Sequence, residues 1–562
     1  MPSMSSPPSA HNPPAAAGDL PHHRRTFLEI LGVVAASLLV LLPYFHLPLS
    51  EGDEGIIATG AERILRGQIP YRDFFSELGP ASFYLQAAIF KVGSIDVTAL
   101  RLTAWCLGGA LGGLVYGLAR KVMPCARARL AVAVFSLICY PSAYRVSHHW
   151  WANLFLLLTT LSLVASFSEE GKINPGGQRR WLLLAGLLAG LMLLAMQSKG
   201  FWTIAMGAAF LAVEPGLGNS ENRGIALNMG LKQAGWFLAG AVSMVGLVGA
   251  YLAAQGALGA WIDANVVFLF TNYRSYLDVP QASALRTLLH IGTLALSQPS
   301  VHLSFYFLGY FFFCFVAPTI AFAGTAWQLR PARRPPVPEA RLLFLLLLVG
   351  AGGFLSELHS PDFPHLMWGT PLMLVLLVYQ WGAMASRASA LRRPAQAAAV
   401  VAVVLMVFTA GRKAVNTLRI DREIETRRGT IYVRPPVAGE TEAIVKAIEG
   451  RVPAGDETFF YPYMAELYFL TATRNPTRFD VLLPDFHSAG QINEAMARLQ
   501  SARPQFIFSF DKIQRWTIRP HFPDDPPDVL IAHPVERTLR VPGSGYHQVA
   551  MISEMEVWAA ER

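Results

Sequence analysis

The sequence predicts an α-helical polytopic membrane protein of about eleven transmembrane helices, followed by a small C-terminal α/β domain. Three observations carry this. Of 562 residues, 53% are apolar and 15% charged, against roughly 25% charged in an average soluble chain. Charge is also segregated: residues 1–412 hold 46 charged side chains and the last 150 residues hold 38. Finally, apolar runs of about 20 residues, enough to cross about 30 Å of hydrocarbon, recur through the first part. That part has 28 basic and 18 acidic residues, the basic ones in short loops between apolar runs, which argues against a nucleic-acid surface. Four Cys, none beyond Cys314, are too sparse for a disulfide scaffold.

Residues 1–21 are rich in Pro, Ser and Ala and too poor in large apolar groups to pack, so a disordered leader is expected. From Thr26 an apolar run follows His22-His23-Arg24-Arg25 without a small-residue cleavage site, the pattern of an uncleaved anchor. Further spans are expected near 98–119, 130–147, 152–167, 181–197, 201–214, 233–255, 303–327, 341–356, 366–384 and 395–411. Residues 81–92 are apolar but too short to cross alone. With a cytoplasmic N-terminus, the inner loops collect Arg120, Lys121, Arg127 and Arg129, then Arg330, Arg333 and Arg334, as the positive-inside rule requires. Segments 48–80, 256–302 and 357–365 then lie outside. An odd number of spans puts residues 412–562 outside too, leaving 22–411 as the membrane domain. In the tail, 457–461, 479–483 and 505–509 are strand-like and 489–501 helical, a small α/β layer. No GxGxxG, P-loop or CxxC accompanies them.

The first outer loop, 48–80, concentrates acid. Glu51, Asp53, Glu54, Glu62, Asp73 and Glu77 are six of the 18 acidic residues in the membrane part. Asp53-Glu54 directly follows the first span and precedes a helical stretch at 55–66, a Gly67 stop and a Pro70-Tyr71 turn. A carboxylate at a membrane face, partly desolvated by apolar neighbours, can act as a general base or ligate a cation. The plainer alternative is a solvated loop.

The order of span, Asp-Glu, helix, Gly, Pro-Tyr, Phe-x-x-Glu-x-x-Pro and apolar helix resembles the GT-C superfamily. The similarity is to the branch of protein mannosyltransferases and aminoarabinose transferases grouped as glycosyltransferase family 39. It implies a GT-C-like fold and transfer of a sugar from a polyprenyl-phosphate donor to a lipid, glycan or protein acceptor at the outer face of the cytoplasmic membrane. It also implies that Asp53 and Glu54 contain the catalytic base. Glu77-Leu78-Gly79-Pro80 resembles the family's Glu-Lys-Pro stretch, with Leu78 where a basic residue is usual. Gln197-Ser198-Lys199-Gly200, Phe270-Thr-Asn-Tyr-Arg274 and Pro364-His365 are similar to three further motifs, which implies donor-phosphate contacts by Lys199, Arg274 and His365. Where the family often has an Asp, the chain reads Ser147-His148-His149-Trp150-Trp151-Ala152-Asn153. Asn153 cannot act as a base, so Glu77, His148 and His149, with Asn153 itself, are candidates for acceptor or cation support.

No cofactor is implied with certainty. His149 and Glu77 can ligate a divalent metal, although no close-spaced ligand pair such as HExxH is present. Each basic or aromatic candidate also has a plain alternative, a snorkelling charge or an interfacial aromatic belt. The expected reaction inverts the anomeric carbon, with Asp53 as base and cations neutralising the departing phosphate. The rival readings are a transporter or flippase of lipid-linked sugars, disfavoured by the lack of an internal repeat and the small number of mid-span charges, and a non-catalytic assembly protein.

Overall fold

The computed structural model describes residues 22–49, 52–143, 145–167, 175–217, 223–272, 284–298, 300–359, 362–387, 389–483, 486–510, 534–541 and 543–561. The expected leader at 1–21 and Arg274 lie outside them.

The chain is mainly helical. Helix α1 (His22–Leu41) is the first span. The first outer loop contains α2 (Asp53–Leu65), which opens with both acids in its first turn, where the helix dipole favours negative charge. Helix α3 (Pro80–Val92), only 13 residues, buries one side against α2 and does not cross. Then come α4 (Val97–Val122), capped by the Asp96 carboxylate on Ala99 N–H, and α5 (Cys125–Ala143). Helix α6 (His148–Ser166) starts where the Ser147 hydroxyl accepts from Trp150 N–H. Helices α7 (Pro175–Ala195), α8 (Gln197–Val213) and α9 (Arg223–Ala254) follow. Later helices are Val337–Leu355, the short Phe363–Trp368, Pro371–Arg387 and Ser389–Leu418.

Among the described residues, nine helices are long and apolar enough to cross a membrane. Two further expected spans, near 130–147 and 366–384, correspond to α5 and Pro371–Arg387, so a helix stands at each of the eleven expected positions. The chain is a multi-pass membrane protein. Its last helix runs to Leu418, past the expected end at 411. Segment 256–302, expected to lie outside, contains the helices Leu258–Phe270 and Ala284–Ser297.

Small residues let the membrane helices approach. Gly186 of α7 lies against the Phe237 carbonyl of α9, and Gly240 of α9 against the Leu183 carbonyl of α7. A side chain at either position would overlap backbone, the close-packing device used where lipid supplies no hydrophobic drive.

The tail carries a hairpin, β1 (Arg422–Thr426) with β2 (Gly429–Val433), and a four-stranded sheet. The sheet comprises β3 (Phe459–Tyr461), β4 (Phe506–Phe510), β5 (Tyr546–Ile552) and β6 (Met555–Ala560), in the order β3-β4-β6-β5. Strands β3 and β4 are parallel, joined through a helix at Ala489–Ala502 that a Ser488/Gln491 capping box initiates. The expected strand at 479–483 does not form beyond a single bridge, Tyr463 to Val481. Side chains satisfy its backbone instead: Asn475 accepts from Thr477 N–H and donates to the Phe479 carbonyl.

The tail sits directly on the first outer loop. Arg63 of α2 is 2.6 Å from the Asp480 carboxylate and donates to the Thr477 carbonyl. Thr59 donates to the Ala465 carbonyl at 2.7 Å. Arg428 pairs with Glu62, Phe75 N–H donates to the Arg478 carbonyl, and the His46 ring stacks on Tyr432.

Candidate active site

The N-terminal ends of α2 and α6, the start of α8 and the segment 356–368 meet at one site. Asp53 and Glu54 are neighbours on α2, and one residue of helical rotation, about 100°, sends them to different surroundings. Glu54 points inward, fully buried, with Oε1 2.5 Å from Arg101 Nη1 and 3.3 Å from Val146 N–H. Its lone pairs serve a buried ion pair. It therefore does not have the free carboxylate expected of a catalytic base.

Asp53 keeps a third of its side-chain surface open and has Oδ2 3.0 Å from His148 Nδ1. Burial raises its pKa, but His148, His149 and His365 together outweigh that and hold the carboxyl below its ordinary range. Asp53 is thus ionised throughout the neutral range. Glu77 moves the other way. Burial pushes its carboxyl up, and the nearby Asp53 charge adds to the rise. Its backbone carbonyl accepts from Gln197 at 2.9 Å, fastening the end of the loop to α8.

Four histidines line the opposite side. The His148 and His149 rings lie 4.0 Å apart, and His149 stacks on Trp368 at 3.7 Å and 14°. His365 stands 5.0 Å from His149 and donates Nδ1–H to the Asp362 carboxylate at 2.7 Å. Burial lowers the His365 pKa, yet Asp362 and more distant acids reverse the sign and raise it, which favours the cation. His359 donates Nδ1–H to the Ser356 carbonyl, and burial lowers its pKa.

Lys199 is fully enclosed. Its ammonium is 2.6 Å from Glu357 Oε1, 2.7 Å from Asn153 Oδ1 and 3.1 Å from the Trp368 carbonyl. Three acceptors occupy its three N–H bonds. The charge of Lys199 is paired with Glu357 in this arrangement, and contact with the donor phosphate stays a proposal. Asn153, one turn below His149, accepts from that ammonium through Oδ1. Of the expected phosphate contacts, His365 faces the open side, and Arg274 lies outside the described residues.

Two sets of side chains have ligand atoms within 4.8 Å of one another: Asp53, His148 and His149, and His149, Glu357 and His365. Imidazole and carboxylate donors in these numbers suit a zinc-type divalent cation. The first set fits better, because Glu357 in the second is already neutralised by Lys199.

Sequence reasoning missed Glu357, Trp368, Asp362 and Arg101. A signal existed for three of them. Arg101 is a charge inside an expected span, and Glu357 and Asp362 are the only acids in the loop between two late spans.

No family model matches the chain, and no curated protein is similar to it at a meaningful level. Solved structures do match. ArnT from Cupriavidus metallidurans, bound to undecaprenyl phosphate, aligns with a TM-score of 0.55 at 14% identity over 95% of this chain and 97% of ArnT. The Archaeoglobus fulgidus oligosaccharyltransferase in its apo form aligns with 0.52 at 11% identity, over 86% of this chain and 70% of that one. AglB from the same archaeon, in complex with an inhibitory peptide and a dolichol-phosphate, aligns with 0.51 at 10% identity, over 96% and 75%. The chain shares the fold of these membrane proteins. The likeness spans membrane helices and tail together, so the expected fold class holds across both parts.

Proposed function

We propose that this GT-C chain is an inverting glycosyltransferase that moves a sugar from a polyprenyl-phosphate donor to a hydroxyl acceptor at the outer face of the cytoplasmic membrane, with Asp53 as general base. The observation that carries the reading is the division of labour in the acidic pair: Glu54 is locked to Arg101, and Asp53 is ionised and open beside a histidine cluster. In support, the fold is that of ArnT bound to undecaprenyl phosphate and of AglB in complex with dolichol-phosphate.

In the proposed step, Asp53 takes the proton of the acceptor hydroxyl while that oxygen bonds to the anomeric carbon. The bond from that carbon to the phosphate oxygen breaks, and the carrier leaves as its phosphate. A phosphate leaving group needs little protonation near neutral pH, so one carboxylate with cationic neighbours suffices, unlike a two-carboxylate hydrolase. His365, held toward its cationic form by Asp362, supplies positive charge on the open side. Arg274 remains proposed as a second cation.

The test supplies membranes carrying the protein with a panel of undecaprenyl-phosphate-linked sugars and measures release of undecaprenyl phosphate. Asp53→Asn is expected to lose on the order of 10²-fold or more of turnover with unchanged expression and thermal midpoint. Wild-type turnover in Asp53→Asn would remove Asp53 from the mechanism.

A further inference from the structure

Glu357 stands out among the buried groups because it joins three separate elements and none of the sequence motifs reports it. It follows Val337–Leu355, is fully buried, and carries two partners on one carboxylate: Lys199 Nζ at 2.6 Å and His149 Nδ1 at 3.1 Å from Oε2 and 3.2 Å from Oε1. Lys199 begins α8 and His149 begins α6, so the carboxylate clasps two helix starts to its own loop. Facing an ammonium, the carboxylate is an acceptor only. The ring nitrogen it meets must therefore be the one that carries hydrogen, and Nε2 is left free to bind. The ring plane is held as well, since one face of His149 stacks on Trp368 at 3.7 Å, and the same Trp368 gives its carbonyl to Lys199. A ring nitrogen of His149 lies within 4.8 Å of ligand atoms of both Asp53 and His148.

We infer that Glu357 is the positioning residue of the site: through its shared hydrogen bonds with Lys199 and His149 it sets the His149 tautomer and aims that ring at the Asp53 side. The inference rests on the glycosyltransferase reading for its kinetic consequence but not for its structural one. Lys199 in this arrangement is the counter-charge that lets an ionised carboxylate stay buried. Carboxylates that orient imidazoles from behind are worth about 10- to 100-fold in activity or ligand affinity.

Removing Glu357 alone would strand the buried ammonium, so loss of folding would mask the effect. The informative variant is Glu357→Leu combined with Lys199→Met, which removes both charges and keeps volume. Full-length protein labelled with ¹⁵N-histidine in lipid bilayers reports the tautomer by solid-state NMR, with His149→Asn identifying the signal. The wild type is expected to show His149 protonated at Nδ1. In the double variant that signal should give way to a mixture of tautomers, with kcat falling about tenfold or more and carrier KM staying within about twofold. An unchanged tautomer, or an unchanged kcat in the folded double variant, overturns the inference. If the wild type itself transfers no lipid-linked sugar, the functional reading fails, while the tautomer comparison still decides what Glu357 does.

Discussion

Asp53 and Glu54 sit side by side in the chain and end in opposite environments, one open and one sealed against Arg101. A buried carboxylate that loses its guanidinium partner, or the reverse, costs about 3–5 kcal/mol, because the survivor is left charged and unpaired. Glu54→Ala should therefore lower the thermal midpoint sharply, and Glu54→Leu with Arg101→Met should recover most of it. A Glu54→Ala protein that melts like wild type would show that the pair carries no structural weight. Glu77 makes a different prediction. Its folded pKa is raised by burial, so the stability linked to its proton is present below the unfolded value and lost as pH rises through the folded one. Glu77→Gln, which imitates the protonated form, should raise the melting temperature at about pH 8, with the gain disappearing below about pH 4. Chelator in the buffer keeps any bound cation from confusing the comparison, and equal shifts at both pH values would refute the linkage. The acidic pair was legible as a cluster, but its division of labour was not, because Arg101 is 47 residues away and lies on another helix. Glu357 was less legible still: its partner His149 is 208 positions distant, and only folding brings the two together.

At the level of helices and strands, hydropathy was the dependable signal, since only a helix satisfies its own backbone in hydrocarbon and the length needed to cross is fixed. That is why a helix stands at every expected span; the apolar run at 81–92 is a helix of 13 residues, Pro80–Val92. What hydropathy could not give was packing partners. The contact between α7 and α9 depends on which glycines face each other, and Gly186 and Gly246 look alike in sequence. Gly186 abuts the Phe237 carbonyl, whereas Gly246 has open space around it. Gly186→Val should thus destabilise the bundle by roughly 1–3 kcal/mol, the cost of forcing atoms into a closed interface, and reduce the folded, monodisperse fraction on size exclusion. Gly246→Val serves as the control and should behave as wild type; equal behaviour of the two variants would mean the helices do not meet there. In the tail the limit was different. Strand β6 is buried along most of its length and includes Glu556, so it lacks the alternation that marks a half-exposed strand. At 479–483 the apolar run looked like a strand, but Asp480 is drawn to Arg63 and the local Asn475 turn uses up the backbone.

For the whole molecule, the decisive constraint is that tail and first outer loop are in direct contact. The Arg63–Asp480 pair, the Thr59 bond to Ala465 and the Arg428–Glu62 pair bind residues more than 360 positions apart. Asp53 and the sheet domain must therefore share one side of the membrane, whichever side that is. Eleven crossings, one for each expected span, would put the two ends on opposite sides, and the positive-inside rule predicts that the Arg and Lys of the loops at 120–129 and 330–334 face the cytoplasm. The consequence can be checked one residue at a time. In a background with the four native cysteines replaced, Lys446→Cys on the exposed face of the tail should react with a membrane-impermeant maleimide in intact cells. Arg333→Cys, exposed in a basic loop, should react only after permeabilisation. The reverse pattern would put Asp53, the histidine cluster and Glu357 in the cytosol together, because the contacts that dock the tail leave them no means of separating. A carrier-linked sugar presented at the outer leaflet would then never reach the carboxylate, and the fold alone would remain.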